Sequence, residues 1–461
     1  MATEISDRRQ SSFVVPALLL VGGFVFALSW SMQNSSYDVW GALLLAPVIL
    51  AITAPLAVHI ARREEDPALA RLLMLALVVK LVGALVRYAV AFGVYDGVAD
   101  ATVYHESGAA LSELFRAGIY AGDTGRVLGT GFIKILTGIL YTFVGPTRVG
   151  GFLAFSWMGF WGLYFFYRAF CIACPDGDRR RYARLVFFLP SLVFWPSSIG
   201  KEAWMTLTLG LVALGAAKLL THARGGFVLL ALGFAGATMV RPHVSALLLA
   251  ALSIAYVLRR NPRGGSPLRP LFRMVGLASL LVAGVVVLSQ AERVLGVDEF
   301  NSTSVEQVRL KAEGQTTQGG SAFRASPVRS PADFPRAAFS VMFRPLPTEV
   351  TNGQSLIAAM EGMLLLSLFV LNWRRLFRMG QSVFSNAYIA FALAYSVLFI
   401  YAFSSFGNFG IITRQRVQLL PFALIALAIP VPLTERQRMR EALRSRMGGA
   451  RRTRFVVDVA R

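Results

Sequence analysis

The sequence predicts an all-α, polytopic membrane protein with about twelve transmembrane helices. Of its 461 residues, 55% are hydrophobic and only 15% are charged, a balance typical of chains whose helices are surrounded by lipid. Several apolar runs reach the ~20 residues that a helix needs to cross a bilayer. The net charge of +21 comes almost entirely from arginine, and the arginines cluster in short loops between the runs, as membrane topology requires. The basic character therefore indicates cytoplasmic loops, and nucleic acid is not an expected partner.

The N-terminal region, residues 1–66, is predicted to form a transmembrane hairpin with spans at about 12–32 and 39–61. We interpret the first as a retained span, because it lacks a small-residue cleavage site and further spans follow it. Arginine pairs lie before the hairpin and at its end, so both ends are expected in the cytoplasm.

The next region, residues 67–289, is predicted to be the membrane core. A span at about 69–94 leads to the outer face, where an outer loop covers 95–146. Within this loop, 131–144 is apolar but only 14 residues long. If this segment crossed the membrane, the arginine-rich segment after the next span would lie on the outer side. We therefore expect 131–144 to lie in the outer interface. The following spans are then predicted at about 147–171, 183–197, 203–220, 226–240, 243–258 and 271–289.

Three C-terminal segments complete the predicted organisation. Residues 290–354 form a second long outer loop, whose Gly, Ser, Pro and Gln content is typical of a partly mobile segment that acts as a lid. The C-terminal membrane region, 355–433, holds spans at about 355–372, 384–403 and 412–433. The basic tail, 434–461, then lies in the cytoplasm with the N-terminus, and the dominance of arginine over lysine is typical of a bacterial chain. We expect the bacterial plasma membrane.

Under this topology, unusual polar residues gather at the outer face. Taken singly, each of these residues also fits a turn or a helix end. Taken together they are unusual, because at least four outer hairpins place a cation at their apex or membrane edge, whereas basic residues are expected on the inner side. This pattern requires an anionic partner, and a lipid phosphate or diphosphate fits, because arginine binds phosphate oxygens in pairs. The candidate donor-binding residues are Tyr104, His105, Arg87, Lys201, Glu202, Arg241, His243, Arg344, Arg414 and Arg416.

Two cations, Lys80 and Arg87, fall inside the third predicted span. Charges at bilayer depth are costly and usually face a cavity or a functional partner. A structural ion pair with Glu361 or with a neighbouring residue is the alternative for either of them.

Two aspartates at the start of the first outer loop are the candidate catalytic bases. A sugar on a lipid phosphate already carries its leaving group, whereas the acceptor hydroxyl needs a base. Asp96 and Asp100 are four residues apart and would share one face of a helix; an N-cap role is the alternative for either. No metal site and no certain cofactor are predicted, and a divalent cation stays open.

The stretch ADATVYHESGAALSELFRAGIY, at 99–120, resembles the start of the first outer loop in GT-C class membrane glycosyltransferases. The segment after Gly129 is similar to the juxtamembrane helix and the following span of that class. The resemblance implies a GT-C-like core that takes a sugar from a polyprenyl-phosphate-linked donor and passes it to a glycan or a lipid acceptor. Membrane lipids are the further partners that it implies. It also implies that Asp100 and Tyr104 match the acidic and tyrosine positions of the family.

Other segments, including SLVFWPSSIGKEAW and MFRPLPTE, resemble membrane proteins of polysaccharide loci, some of which are polymerases. A repeat-unit polymerase or ligase with polyprenyl-diphosphate donors is therefore one alternative. A transporter or flippase for lipid-linked sugars is a second, although the two related halves expected of many transporters are not evident. A structural subunit that binds a soluble partner is a third alternative, but it does not explain the polar residues that gather at the outer face.

Overall fold

The computed structural model describes residues 21–120, 127–259 and 321–430, together with a few single positions outside these ranges. Every regular element within them is helical, so the all-α prediction is confirmed for this part of the chain. The helices are α1 (21–34), α2 (Tyr37–Arg63), α3 (Pro67–Ala89), α4 (Asp100–Arg116), α5 (Phe132–Val144), α6 (Arg148–Ala173), α7 (Arg179–Phe188), α8 (Pro190–Phe194), α9 (Lys201–Leu220), α10 (Gly226–Val240), α11 (Pro242–Leu258), α12 (Phe334–Phe343), α13 (Gly353–Leu371), α14 (Trp373–Ser382), α15 (Ala387–Phe403), α16 (Phe409–Arg416), α17 (Leu420–Ala423) and α18 (Ile425–Ala428).

Six of the described helical segments are long and apolar enough to cross a membrane, or up to eight if each of two bent pairs forms one span. This is consistent with a multi-pass membrane protein. The count of twelve and the orientation of the termini stay predictions. Most of the predicted span at 271–289 and all of the tail at 434–461 lie outside the described residues, as does the start of the first span.

Several predicted spans take a different form in the structure. The last, 412–433, corresponds to α16, α17 and α18, with a bend of 56° after α16. The segment 183–197 breaks into α7 and α8 at Leu189, because Pro190 has no N–H to continue the first helix and favours an extended residue before it. The helices α10 and α11 have only 15 and 17 residues. They are shorter than the ~20 residues that a perpendicular crossing needs.

The predicted interfacial segment contains the helix α5. Its backbone departs from helical geometry at Leu128 and Gly129, so the regular helix has only 13 residues. The whole segment Val127–Val144 is one of the six that are long and apolar enough to cross a membrane, although the regular helix alone, ~20 Å long, is shorter than the ~30 Å of a bilayer core. The helix packs mainly against α4. Its position in the outer interface stays a prediction.

The central packing pair is α6 and α9, which cross at glycines. A Cβ atom at Gly162 would collide with the backbone of Thr206, and one at Gly210 with the backbone of Gly162. Glycine is therefore needed for the two backbones to approach this closely. This contact fixes α9, and with it the charged residues at its first turn.

The described part of the second outer loop, from residue 321 onward, is ordered by packing. The helix α12 buries Ala337 and Val341. The Phe323 N–H donates to the Gly407 carbonyl at 2.8 Å, and the Phe409 N–H donates to the Ser321 carbonyl at 3.0 Å. This half is therefore attached to the start of α16, and the partly mobile lid stays a prediction.

Basic segments meet at one end of the helices. The Arg181 side chain donates to Asn372 at 2.9 Å, and Arg375 donates to the Ile429 carbonyl at 2.5 Å. The predicted outer residues Asp100 and Arg414 meet near the first turn of α9. The bundle therefore separates a basic end from an end with mixed charges.

Candidate functional site

The turn after the short helix α8 lines the site with Trp195, Ser198 and Ile199, and α8 itself is held at both ends. Glu361 accepts hydrogen bonds from the Ser191 N–H at 3.0 Å and from the Ser191 hydroxyl. Lys80 Nζ donates to the carbonyls of Leu192 at 2.7 Å and Val193 at 3.1 Å. An acid at the N-terminus and a cation at the C-terminus complement the helix dipole. Lys80 and Glu361 thus hold opposite ends of α8, and the alternative of an ion pair between them is wrong.

The centre of the site is a chain of four charged side chains. Arg414 Nη2 lies 2.7 Å from Asp100 Oδ2, and Arg414 Nε lies 2.6 Å from Glu202 Oε1. The same Glu202 oxygen accepts a hydrogen bond from Arg241 Nη2 at 2.7 Å. Four different helices or helix boundaries contribute these groups, so tertiary packing brings them together.

Two cavities open on either side of Arg414. The first has a volume of about 450 Å³, and its charged lining residues are Arg87, Asp100, Glu202 and Arg414. The second has a volume of about 750 Å³, and its ionisable lining residues are Lys201, Arg241, His243 and Arg414. Both cavities share Trp195, Gly410 and Arg414. Arg414 therefore stands in the wall between an acid-containing cavity and a basic one.

Arg87 faces the first cavity from α3. Its guanidinium lies over the rings of Phe194 and Trp195, 4.8 Å and 4.9 Å from their centroids. Such cation–π contacts stabilise the charge at a site that is largely removed from water. Its Nε has no hydrogen-bond partner among the described residues.

Asp100 occupies the first position of α4, and the helix begins one residue after the extended Ala99. Neither aspartate is its N-cap. Asp96 lies before the helix in a left-handed turn with φ 48°, exposed and outside the lining of both cavities. The expectation that Asp96 and Asp100 share a helical face is therefore wrong, because α4 does not extend back to Asp96.

Tyr104 and His105 lie behind the cavities. Burial, with the nearby charges of Asp100 and Glu202, raises the pKa of Tyr104 to about 12, so its hydroxyl keeps its proton at neutral pH. His105 Nδ1 lies 2.8 Å from the Tyr141 hydroxyl and joins α4 to α5. Neither side chain is part of either cavity lining.

Arg344 and Arg416 also lie outside both linings. Arg344 pairs with Glu349 and stacks over the Phe323 ring at 4.3 Å. Arg416 is fully buried and donates to the carbonyls of Met342 at 2.6 Å and Arg344 at 3.2 Å. Both arginines connect the loop after α12 to α16.

The first cavity also contains polar residues that the sequence did not single out. The Tyr95 hydroxyl donates to Gln354 Oε1 at 2.8 Å, and Asn352 and Ser198 lie in the same lining. Amides and hydroxyls of this kind bind sugar hydroxyls well. The only sequence signal was their position next to predicted outer ends of spans, which is weak for residues this common in turns.

Within the described residues, no group of three or more His, Cys, Asp or Glu side chains is placed to hold a metal ion. Comparisons of the chain with protein-family models, with curated proteins and with solved structures gave no match.

Proposed function

We propose that this chain is an integral-membrane glycosyltransferase that moves a sugar from a polyprenyl-phosphate-linked donor to an acceptor hydroxyl at the outer face of the membrane. One observation carries the proposal: Arg414 joins Asp100 and Glu202 in the wall between two cavities. The linings hold four basic side chains, Arg87, Lys201, Arg241 and Arg414, against these two carboxylates. The net charge of +2 suits an anionic donor.

Asp100 is the proposed general base. Its side chain is 59% exposed, and its second oxygen, Oδ1, has no hydrogen bond among the described residues. An acceptor hydroxyl in the first cavity can therefore approach this oxygen. The acceptor oxygen attacks the anomeric carbon of the donor while its proton passes to Asp100.

The cations act on the leaving group. As the bond between the anomeric carbon and the phosphate oxygen breaks, the electron pair stays on the phosphate. Guanidinium and ammonium groups beside the phosphate stabilise that charge. Arg414 and Lys201 line the second cavity beside the acid, so they are the proposed principal contacts.

A repeat-unit polymerase or ligase that uses polyprenyl-diphosphate donors is the second candidate. The observation that favours it is the presence of two adjacent cavities, each within the ~300–1,000 Å³ range of small-molecule sites. An enzyme that joins two glycan-bearing substrates would need two adjacent cavities of this size. The transport alternative predicts movement of the donor without cleavage of its sugar–phosphate bond.

The test is Asp100→Asn in purified full-length protein, assayed with a panel of polyprenyl-phosphate sugars and polyprenyl-diphosphate oligosaccharides and with acceptors from membrane extracts. We expect transfer to fall by about 100-fold or more, as for loss of a general base, while the protein stays folded. Glu106→Gln, on the exposed face of the same helix, is the matched control and should keep wild-type transfer. Transfer at the wild-type rate in Asp100→Asn would refute the assignment, and donor movement without cleavage would favour transport.

A further inference from the structure

The second cavity has the features of an anion site. Its lining combines Lys201, Arg241, His243 and Arg414 and contains no carboxylate among the described residues. Arg241 is only 6% exposed, and its Nη1 has no hydrogen-bond partner in the described structure, since Glu202 takes Nη2. A buried guanidinium nitrogen without an acceptor is costly, and a bound anion would supply the acceptor.

Two helix N-termini open onto the same cavity. Lys201 is the first residue of α9, and His243 lies in the first turn of α11. Neither helix start has a side-chain cap. At α11, Pro242 has no N–H and the Val244 N–H already donates to the Arg241 carbonyl at 3.0 Å, so it is the positive end of the dipole at these two starts that favours an anion. The fold therefore adds two partial positive charges to the side-chain cations.

Lys201 is the cation with the greatest freedom to bind a ligand. It forms no hydrogen bond or ion pair within the described part of the chain, whereas Arg241 and Arg414 both bond to Glu202. Its removal should therefore leave the neighbouring contacts intact, which makes Lys201 the best position for a test.

Arg414 connects this cavity to Asp100. Its Nη2 holds Asp100 at 2.7 Å while the same guanidinium lines the second cavity. An anion in the second cavity competes with Asp100 for this one charge. The Asp100 contact is the weaker of the two that Arg414 makes, because Asp100 is 59% exposed and Glu202 only 5%.

We propose that the second cavity binds a phosphate or diphosphate group, and that this binding draws Arg414 away from Asp100. The Asp100 carboxylate, whose Oδ1 is already open to the acceptor, then has both oxygens free when the anion is in place. By linkage, Asp100 in turn weakens anion binding by the same factor. Identifying the anion as the donor's own phosphate rests on the proposed function, whereas the site and its coupling to Asp100 can be tested without any transfer reaction.

The experiment measures binding by calorimetry on the full-length protein. One arm uses inorganic diphosphate in neutral detergent, and the other uses phosphatidic acid against phosphatidylcholine in nanodiscs. Lys201→Gln should weaken binding about tenfold or more, the size of one charge-assisted hydrogen bond. Lys218→Gln, ~26 Å further along the same helix, is the matched control and should bind as wild type. Binding of both probes indicates a site for the phosphate group itself, and binding of phosphatidic acid alone indicates a lipid headgroup site.

The coupling predicts a change in affinity of opposite sign at Asp100, where the substitution should strengthen binding of the probe. Asp100→Asn should bind the probe about twofold to fivefold more tightly, as expected when a half-exposed ion pair no longer holds Arg414. Asp96→Asn removes a nearby charge that has no contact with Arg414 and should leave the affinity unchanged. In an Arg414→Gln background the Asp100→Asn gain should disappear, whereas a simple through-space effect of the Asp100 charge would persist.

Wild-type affinity in Lys201→Gln, or no binding of either probe to the wild-type protein, would overturn the anion site. Equal affinity of wild type and Asp100→Asn would overturn the coupling. These results are independent of the transfer assay. If Asp100→Asn keeps transfer while Lys201→Gln loses anion binding, the proposed base is wrong and the anion site stands.

Discussion

Glu202 is the residue whose neutralisation should destabilise the site most. It is only 5% exposed, and its Oε1 alone accepts from Arg414 at 2.6 Å and from Arg241 at 2.7 Å. Glutamine keeps the shape but removes the charge, so the two guanidinium groups would face each other with only the half-exposed Asp100 left as a counter-ion, beside Arg414. Removing one partner of a buried ion pair costs about 3–5 kcal/mol, and we expect Glu202→Gln to lose that much unfolding free energy.

The neutralisation of Asp100 should have a much smaller effect on stability than that of Glu202. The Asp100 side chain is 59% exposed, and within the described part of the chain its only hydrogen bond or ion pair is the one to Arg414; an exposed ion pair contributes about 0.2–1 kcal/mol. Asp100→Asn should therefore cost little stability while it abolishes transfer. We therefore propose separate roles for the two acids bonded to one arginine: Glu202 holds the cluster together, and Asp100 acts as the base.

The measurement is the unfolding free energy of each variant in mixed micelles during titration with a denaturing detergent. Glu106→Gln, an exposed control, should stay within about 0.5 kcal/mol of wild type. A loss of less than about 1 kcal/mol in Glu202→Gln, the range of an exposed pair, would refute the reasoning, because the Arg414–Glu202–Arg241 contacts would then contribute no more than surface pairs.

Two further predictions concern the scaffold. Gly162→Ala should lower the unfolding free energy by about 1–3 kcal/mol, because the added methyl group overpacks α6 on α9. Gly380→Ala is the control, because a Cβ there meets open space, and it should be neutral or stabilising. Thermal unfolding of both variants is the measurement, and equal midpoints would contradict the prediction. Burial, aided by the charge of Arg148, lowers the pKa of His105, so the unfolded chain binds more protons and stability is lost as the pH falls below about 6.5. His105→Gln should reduce the difference in stability between about pH 7.5 and about pH 5.5, and an unchanged difference would contradict the assignment.

Long apolar runs were the most predictable part of the fold. The predicted spans at 39–61, 69–94, 147–171, 203–220 and 355–372 correspond to helices of nearly the same bounds, because a continuous run of this length has few alternatives to a helix in lipid. The break at Pro190 was not predicted. Hydropathy alone does not reveal that Lys80 and Glu361 are available to stabilise a separate short helix there.

The meeting of charges at one end of the bundle was also predictable in outline. Asp100, Glu202, Arg241 and Arg414 all flank predicted outer turns, and the structure brings them into contact. The direction of each side chain could not be predicted, because one residue of a helix turns it by ~100°. Arg414 and Arg416 are two residues apart and therefore point to opposite sides of α16, one toward the cavities and one toward the Met342 carbonyl.

The most direct test of the account is a cryo-electron microscopy structure of the protein with a non-transferable polyprenyl-phosphate sugar. We expect the phosphate in the second cavity, within about 3 Å of Lys201 and Arg241, with the sugar directed past Arg414 toward Asp100. A donor bound at the opposite, arginine-rich end of the helices, or with its phosphate remote from these cations, would contradict a single site that joins anion binding to the acid.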